Sequence, residues 1–289
     1  MNTLPLPTLY LSHGSPMTAL EPGEAGAFLR RLGPAIDAAF GRPRAVLALS
    51  AHTLTREPVL LAGAQHEAVH DFSGFPQALY ELRYDAPGAP ELALRVQALL
   101  AEGGIHSHRV DEGGLDHGIW TPLRYAYPDA DVPVLPLGFS PQWAPQRLLA
   151  LGHALAPLAD EGVLIIGSGS LTHNLRLLFG AAGRPPVDAP EIDASAEFRR
   201  WVAERAAAAD WAALNDYRRQ APHAALMHPT DEHWLPWYPA GGAAGEGAVG
   251  LRLHASVTYG SLAMDAYAFG PQAPRLQRAL AEVGEPLPA

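Results

Sequence analysis

Short apolar runs of four or five residues, each stopped by Gly, Pro or Ser, recur along the chain and constrain its fold more than any other feature. The clearest cover residues 8–11, 45–49, 134–137 and 163–166. Runs this short, aliphatic and without polar alternation suggest strands buried on both faces. Between them lie longer segments with a helical period, at 24–39 with an interruption at Gly33-Pro34, 90–101, 145–156 and 194–209. Strands alternating with helices need crossover connections, which predicts an α/β fold with a mostly parallel central sheet flanked by helices. Residues 251–258 and 262–269 read as two strands around Tyr259-Gly260, adding antiparallel strands near the C-terminus. Loops are expected over the Gly/Ala-rich 241–247 and the proline-containing 180–190.

With 289 residues, the chain suits one large core, and a single domain spanning 1–289 is expected. A formal charge of −10, with all 20 basic residues arginine, offers no basic stripe to displace counterions from phosphates, so nucleic acid is not an expected partner. The absence of cysteine removes disulfides, thiolate ligands and cysteine nucleophiles together, and any metal must be held by nitrogen and oxygen. No run approaches the roughly 18 apolar residues of a membrane span, and the first residues lack a basic leader. No membrane partner and a cytoplasmic location are the corresponding expectations.

Three of the expected strands run into small turns carrying a histidine: Leu11-Ser12-His13-Gly14, Leu49-Ser50-Ala51-His52, and Gly167-Ser168-Gly169-Ser170-Leu171-Thr172-His173. Ligands of open α/β sheets bind outside the carboxyl ends of the strands, where these histidines can meet. Imidazole is a common ligand of Fe, Zn, Cu and Ni, and its tautomer is fixed by hydrogen bonds that flanking serines can supply. A lone histidine is more often a structural or solvated residue. Threefold recurrence of one pattern argues for a shared site.

The segment from His228 to Pro236 contributes two histidines five apart, and its Thr230-Asp231-Glu232 resembles a helix start with His233 just inside. His117 follows a glycine turn, beside an Asp116 suited to capping a helix over 119–127, and spacing alone leaves it either a hydrogen-bond donor to a ligand or an exposed side chain. His70 precedes Asp71-Phe72-Ser73-Gly74-Phe75-Pro76, whose aromatics suit the wall of a pocket for a planar substrate. His66, His106, His108, His153, His223 and His254 read as structural or exposed. Gly167-Ser168-Gly169-Ser170 is too short for a dinucleotide fingerprint, and Ser15, followed by Pro16, does not fit a nucleophile elbow.

Eight ordered blocks together carry a resemblance that runs nearly end to end. They are Ser12-His13-Gly14-Ser15-Pro16-Met17, Ser50-Ala51-His52, Asp71 to Pro76, Tyr84-Asp85-Ala86-Pro87-Gly88, Leu115-Asp116-His117-Gly118, Gly167 to Asn174, His228 to Pro236, and Tyr259-Gly260-Ser261-Leu262. The chain resembles the bacterial and plant DOPA extradiol dioxygenase family, within the class III, LigB-like ring-cleaving dioxygenases. That resemblance implies His13, His52 and His233 as metal ligands. It implies His173 as an active-site acid/base that some relatives count among the ligands, and His117 as the histidine that hydrogen-bonds substrate or dioxygen. One mononuclear divalent metal per chain is implied, Fe(II) for activity with Zn(II) possible, together with a small catecholic substrate and O2. A histidine here stands where the usual non-haem iron site has a carboxylate, and Glu232, beside His233, is the alternative third ligand. The implied reaction is extradiol cleavage of a catechol such as DOPA, with His173 taking the catechol proton; Arg56, Phe72 and Phe75 are candidates to shape the pocket that the sequence does not place. Two alternatives use the same residues: a zinc-dependent hydrolase or lyase, and a LigB-like protein that binds a partner without turnover.

Overall fold

Side chains of a strand alternate between its two faces, so a run with no polar alternation must have apolar matter on both. The computed structural model, which describes residues 4–179 and 183–284, has that arrangement. In chain order the strands are β1 (Thr8–Ser12), β2 (Ala45–Ser50), β3 (Val59–Leu61), β4 (Gln65–His66), β5 (Ala86–Pro87), β6 (His108–Val110), β7 (Val134–Gly138), β8 (Val163–Gly169), β9 (Gly250–His254), β10 (Val257–Thr258), β11 (Leu262–Ala263) and β12 (Ala266–Phe269). Eight form one sheet in the order β6-β3-β7-β2-β8-β1-β12-β9; β4–β5 and β10–β11 are separate two-stranded ladders. Tyr10, Leu47 and Ile165 enter one core with Leu148, Leu151, Phe198 and Trp237. Their neighbours Leu9, Leu11, Val46 and Ile166 enter the opposite core with Phe28, Leu32, Trp120 and Leu276. Helices Pro90–Glu102, Pro145–Leu155, Asp193–Ala207 and Trp237–Ala243 cover the first face, and Gly23–Phe40, His117–Ala126 and Ala273–Glu282 the second.

The fold is α/β, as expected, with a mixed sheet. Four neighbouring pairs are parallel, β6–β3, β7–β2, β2–β8 and β8–β1. Antiparallel pairing adds β12 and β9 beyond β1, and also joins β3 to β7; the second of these was not expected. The C-terminal pair is a bent hairpin rather than two unbroken strands. Its turn holds Tyr259 and Gly260 at φ of 54° and 69°, and the register shifts between Ala266 and Tyr267. At the bend Asp265 turns its carboxylate fully inward, 2.7 Å from Arg199 Nε.

Two glycine-containing segments behave differently from their sequence reading. Helix Gly23–Phe40 continues through Gly33-Pro34. The residue before a proline normally loses the α conformation because its Cβ crowds the ring, and Gly33 has no Cβ. Helix Trp237–Ala243 takes in the first three residues of the loop expected at 241–247, and residues 244–249 are irregular. Its glycines serve backbone contact between helices: a Cβ on Gly242 would lie 2.3 Å from the Leu149 carbonyl oxygen, and one on Gly152 would lie 2.4 Å from that of Pro239. In the loop expected over 180–190, residues 183–190 are irregular; Gly180 and the next two residues lie outside the described residues.

Candidate metal centre

Parallel register brings the carboxyl ends of β1, β8 and β2 level. Ser12 lies beside Gly169 and Ser168 beside Ser50. His13 is thus one residue and His52 two residues beyond a common edge. The third histidine of the centre arrives on the 228–236 segment, whose backbone rests on β8. Ser170 N–H and the Tyr10 hydroxyl both donate to the His233 carbonyl oxygen, at 3.0 and 2.9 Å. Gly169 makes this approach possible, because a Cβ there would stand 2.0 Å from the same oxygen. No helix starts at Thr230. Its hydroxyl donates to Glu232 instead, Asp231 is held by Tyr217 and Arg218, and the following helix begins at Trp237.

The Nε2 atoms of His13 and His233 each lie 3.2 Å from Nε2 of His52. The outer nitrogens have separate partners: His13 Nδ1 meets Ser168 Oγ at 2.9 Å, His52 Nδ1 meets Asp71 Oδ2 at 3.3 Å, and His233 Nδ1 meets Glu232 Oε1 at 3.3 Å. These partners assign the tautomers. Ser168 gives its own proton to the Gly118 carbonyl and so accepts from His13, and ionised carboxylates can only accept. Each ring therefore carries its proton on Nδ1 and turns the Nε2 lone pair inward. Burial, reinforced by the neighbouring histidines, pushes His13 and His233 well below the ordinary imidazole range, and burial pushes His52 down to about 3. Three neutral lone pairs facing one another repel unless a cation lies between them. A first-row divalent ion with bonds of about 2.1 Å separates adjacent ligand nitrogens by about 3.0–3.4 Å, which matches the spacing here. The residues fit one such ion.

Asp71 does more than its place in a loop suggested. One carboxylate oxygen accepts from both the ring Nδ1 and the backbone N–H of His117, at 2.9 and 3.0 Å, while the other faces His52. Burial would raise this carboxyl, but the bonds from His117 prevail and hold it at about 2. The His117 ring is buried, 4.0 Å from that of His52 between centroids, and is the first residue of its helix. Asp116 caps that helix through Gly118 N–H at 2.9 Å and also accepts from Ser50 Oγ at 2.7 Å, which ties the β2 turn to the helix start.

His173 is not among the three converging rings. It stacks on His233 with centroids 3.5 Å apart and planes 11° apart, and burial lowers it to about 4. Glu232 approaches the Nδ1 side of His233, opposite the Nε2 atoms that converge. His228 is fully buried behind the site and donates from Nε2 to the Leu171 carbonyl at 2.8 Å, which supports the turn carrying His173. His70 bonds the Leu82 carbonyl through Nε2 at 3.1 Å, and around it Phe72, Phe75 and Tyr80 form an aromatic cluster. Phe72 lies edge-on to His117 at 5.6 Å. Arg56 instead lines a surface depression with Leu54 and Gln142. Of the remaining histidines, His66 is buried against the Gly113 carbonyl, His254 stacks on Phe28, His223 meets Glu197, and His106 and His108 are exposed beside Glu57.

Sequence comparison points the same way as this geometry. Residues 7–270 match the LigB family, described as the catalytic LigB subunit of aromatic ring-opening dioxygenase. A "4,5-DOPA dioxygenase extradiol" of Beta vulgaris is 39% identical over 264 residues, covering 91% of this chain and 96% of the relative. A protein of the same name from Escherichia coli K12 is 33% identical over 265 residues, covering 91% and 94%. The solved structure of an uncharacterized Escherichia coli K12 protein superposes with a TM-score of 0.70 at 27% identity, covering 92% of this chain and 100% of that one. The chain belongs to the LigB family of aromatic ring-opening dioxygenases.

Proposed function

We propose that the protein cleaves the ring of a catechol such as DOPA in the extradiol sense, using O2 and one Fe(II) held by His13, His52 and His233. The observation that carries this reading is the convergence of three unprotonated Nε2 atoms whose rings are each tied outward through Nδ1. When bound there, Fe(II) supplies Lewis acidity toward the diol oxygens and the redox capacity that dioxygen chemistry requires.

The chain's own residues supply positioning and proton transfer. His173, neutral at physiological pH because burial depresses it to about 4, accepts the proton of a catechol hydroxyl at a ring nitrogen and returns it later in the reaction. Its stacking on His233 fixes the plane of the ring. His117 donates Nδ1–H to Asp71, so Nε2 is its acceptor and receives a hydrogen bond from the second hydroxyl. Asp71 holds His117 and His52 in one frame. Phe72, with Phe75 and Tyr80 behind it, flanks the planar substrate and excludes water.

Oxygen uptake by anaerobically Fe(II)-loaded protein on addition of catechols including DOPA tests the reading. Stoichiometric uptake with a yellow ring-fission product is expected, and the His52→Ala variant should lose both the metal and the uptake. No uptake with any catechol at full iron occupancy overturns it.

A further inference from the structure

On the far edge of the sheet, separated from β2 by β7 and β3, a second group of ligand atoms converges away from the centre described above. His106 and His108 are two residues apart, His108 opening β6 and His106 lying just before it. Their ring centroids lie 4.6 Å apart. His106 Nδ1 and His108 Nε2 both point at one atom, Glu57 Oε2, at 3.4 and 3.0 Å. The sheet itself sets this meeting. His108 pairs with Val59 in register, its N–H donates to the Pro58 carbonyl at 2.9 Å, and the Thr55 hydroxyl holds the Glu57 carbonyl at 2.6 Å. Arg109 alternates to the opposite face of its strand, away from the three donors.

We propose a second metal site, for a divalent first-row cation such as zinc, formed by Glu57, His106 and His108 on this edge. Two imidazoles and a carboxylate are a known zinc donor set with a position left for water. The three groups have compact, convergent donor atoms, all within 4.8 Å of one another. All three side chains are more than half exposed, so a hydrated ion reaches them without opening the fold. The terminal strand β6 is three residues long and, among the described residues, pairs only with β3. A bound ion therefore clamps this short edge strand to the segment that leads into β3, and it stabilises the native state in proportion to its occupancy.

The test uses tag-free protein with its central metal in place, dialysed against zinc, with total bound metal per chain counted by elemental analysis. One equivalent beyond the central metal is expected. The His106→Ala/His108→Ala double variant should lose that equivalent while keeping its catechol-dependent oxygen uptake, since neither residue touches the histidine centre. The His52→Ala variant should show the reverse, losing the central metal and keeping the edge equivalent. Zinc should also raise the thermal midpoint of wild-type protein more than that of the double variant. Equal zinc stoichiometry in wild type and the double variant, or no extra equivalent in the wild type, overturns the proposal whatever the protein's activity on catechols.

Discussion

A ligand imidazole is only as well placed as the group on its other nitrogen. In most non-haem iron sites a carboxylate sits directly on the metal. Here Asp71 and Glu232 face the Nδ1 atoms of His52 and His233, so carboxylate charge stands one ring removed from the centre and strengthens the imidazoles as donors. Asp71→Asn exchanges one accepting oxygen for an NH2 group and cannot accept from His117 and His52 together. Its metal affinity should fall by about 10–100-fold, the usual effect of losing such a partner, as measured by chelator competition. His173→Gln should behave differently. It keeps full metal stoichiometry and loses about 100–10,000-fold in kcat, the range of a general acid/base; steady-state kinetics beside metal analysis separates the two variants. Unchanged kcat in His173→Gln would remove that residue from proton transfer.

At the scale of elements, small residues govern which backbones can touch. Gly167 and Gly169 at the end of β8 face the carbonyl oxygens of Pro236 and His233, 2.2 and 2.0 Å from where a Cβ would stand. Neither glycine is placed for phosphate; both let the 228–236 segment lie on the strand end. Gly169→Ala should therefore push His233 out of line. Its expected effects are a loss of about 1–3 kcal/mol, typical of overpacking, and reduced metal content, read by thermal unfolding and elemental analysis. The helix pair Pro145–Leu155 and Trp237–Ala243 depends on Gly152 and Gly242 in the same way. Glycine clusters in sequence suggest flexibility, yet in these two places they mark close backbone packing. A single residue string does not distinguish the uses, because the steric demand comes from a partner far along the chain.

Across the whole molecule, buried neutral histidines set the response to acid. His228, fully buried, is lowered to about 4 by burial, and His254 is also lowered to about 4. Unfolding returns each to about 6.5, so the unfolded chain binds more protons between those two values. Their contribution to stability is complete above pH of about 6.5 and is lost as pH falls toward about 4. For His228 the shift corresponds to on the order of 3 kcal/mol. Urea midpoints measured on metal-free protein should decline steadily through this window, and a flat profile would refute the assignment. Removing the central metal should also lower the thermal midpoint at neutral pH, because an ion bound only by the native state stabilises it.

The apolar runs at 8–11, 45–49, 134–137 and 163–166 determined by themselves that a sheet buried on both faces would form, since alternating side chains need apolar contacts on either side. The strand-end positions of His13 and His52 followed from that same pattern, and Asp116 was a candidate cap from its place just before the 119–127 helical segment. Tertiary structure alone decided which histidines share a centre. His173 and His228 stand in motifs as suggestive as those of His13 and His233, but one stacks on the His233 ring and the other supports a turn. Asp71 was legible as the start of one resembling block and as an ionisable residue beside an aromatic loop, but its link to two imidazoles arises from a chain path that brings residue 71 beside residues 52 and 117. Local sequence dictates which conformation a segment prefers; the register between distant strands and the clearance between their backbones dictate which side chains finally meet.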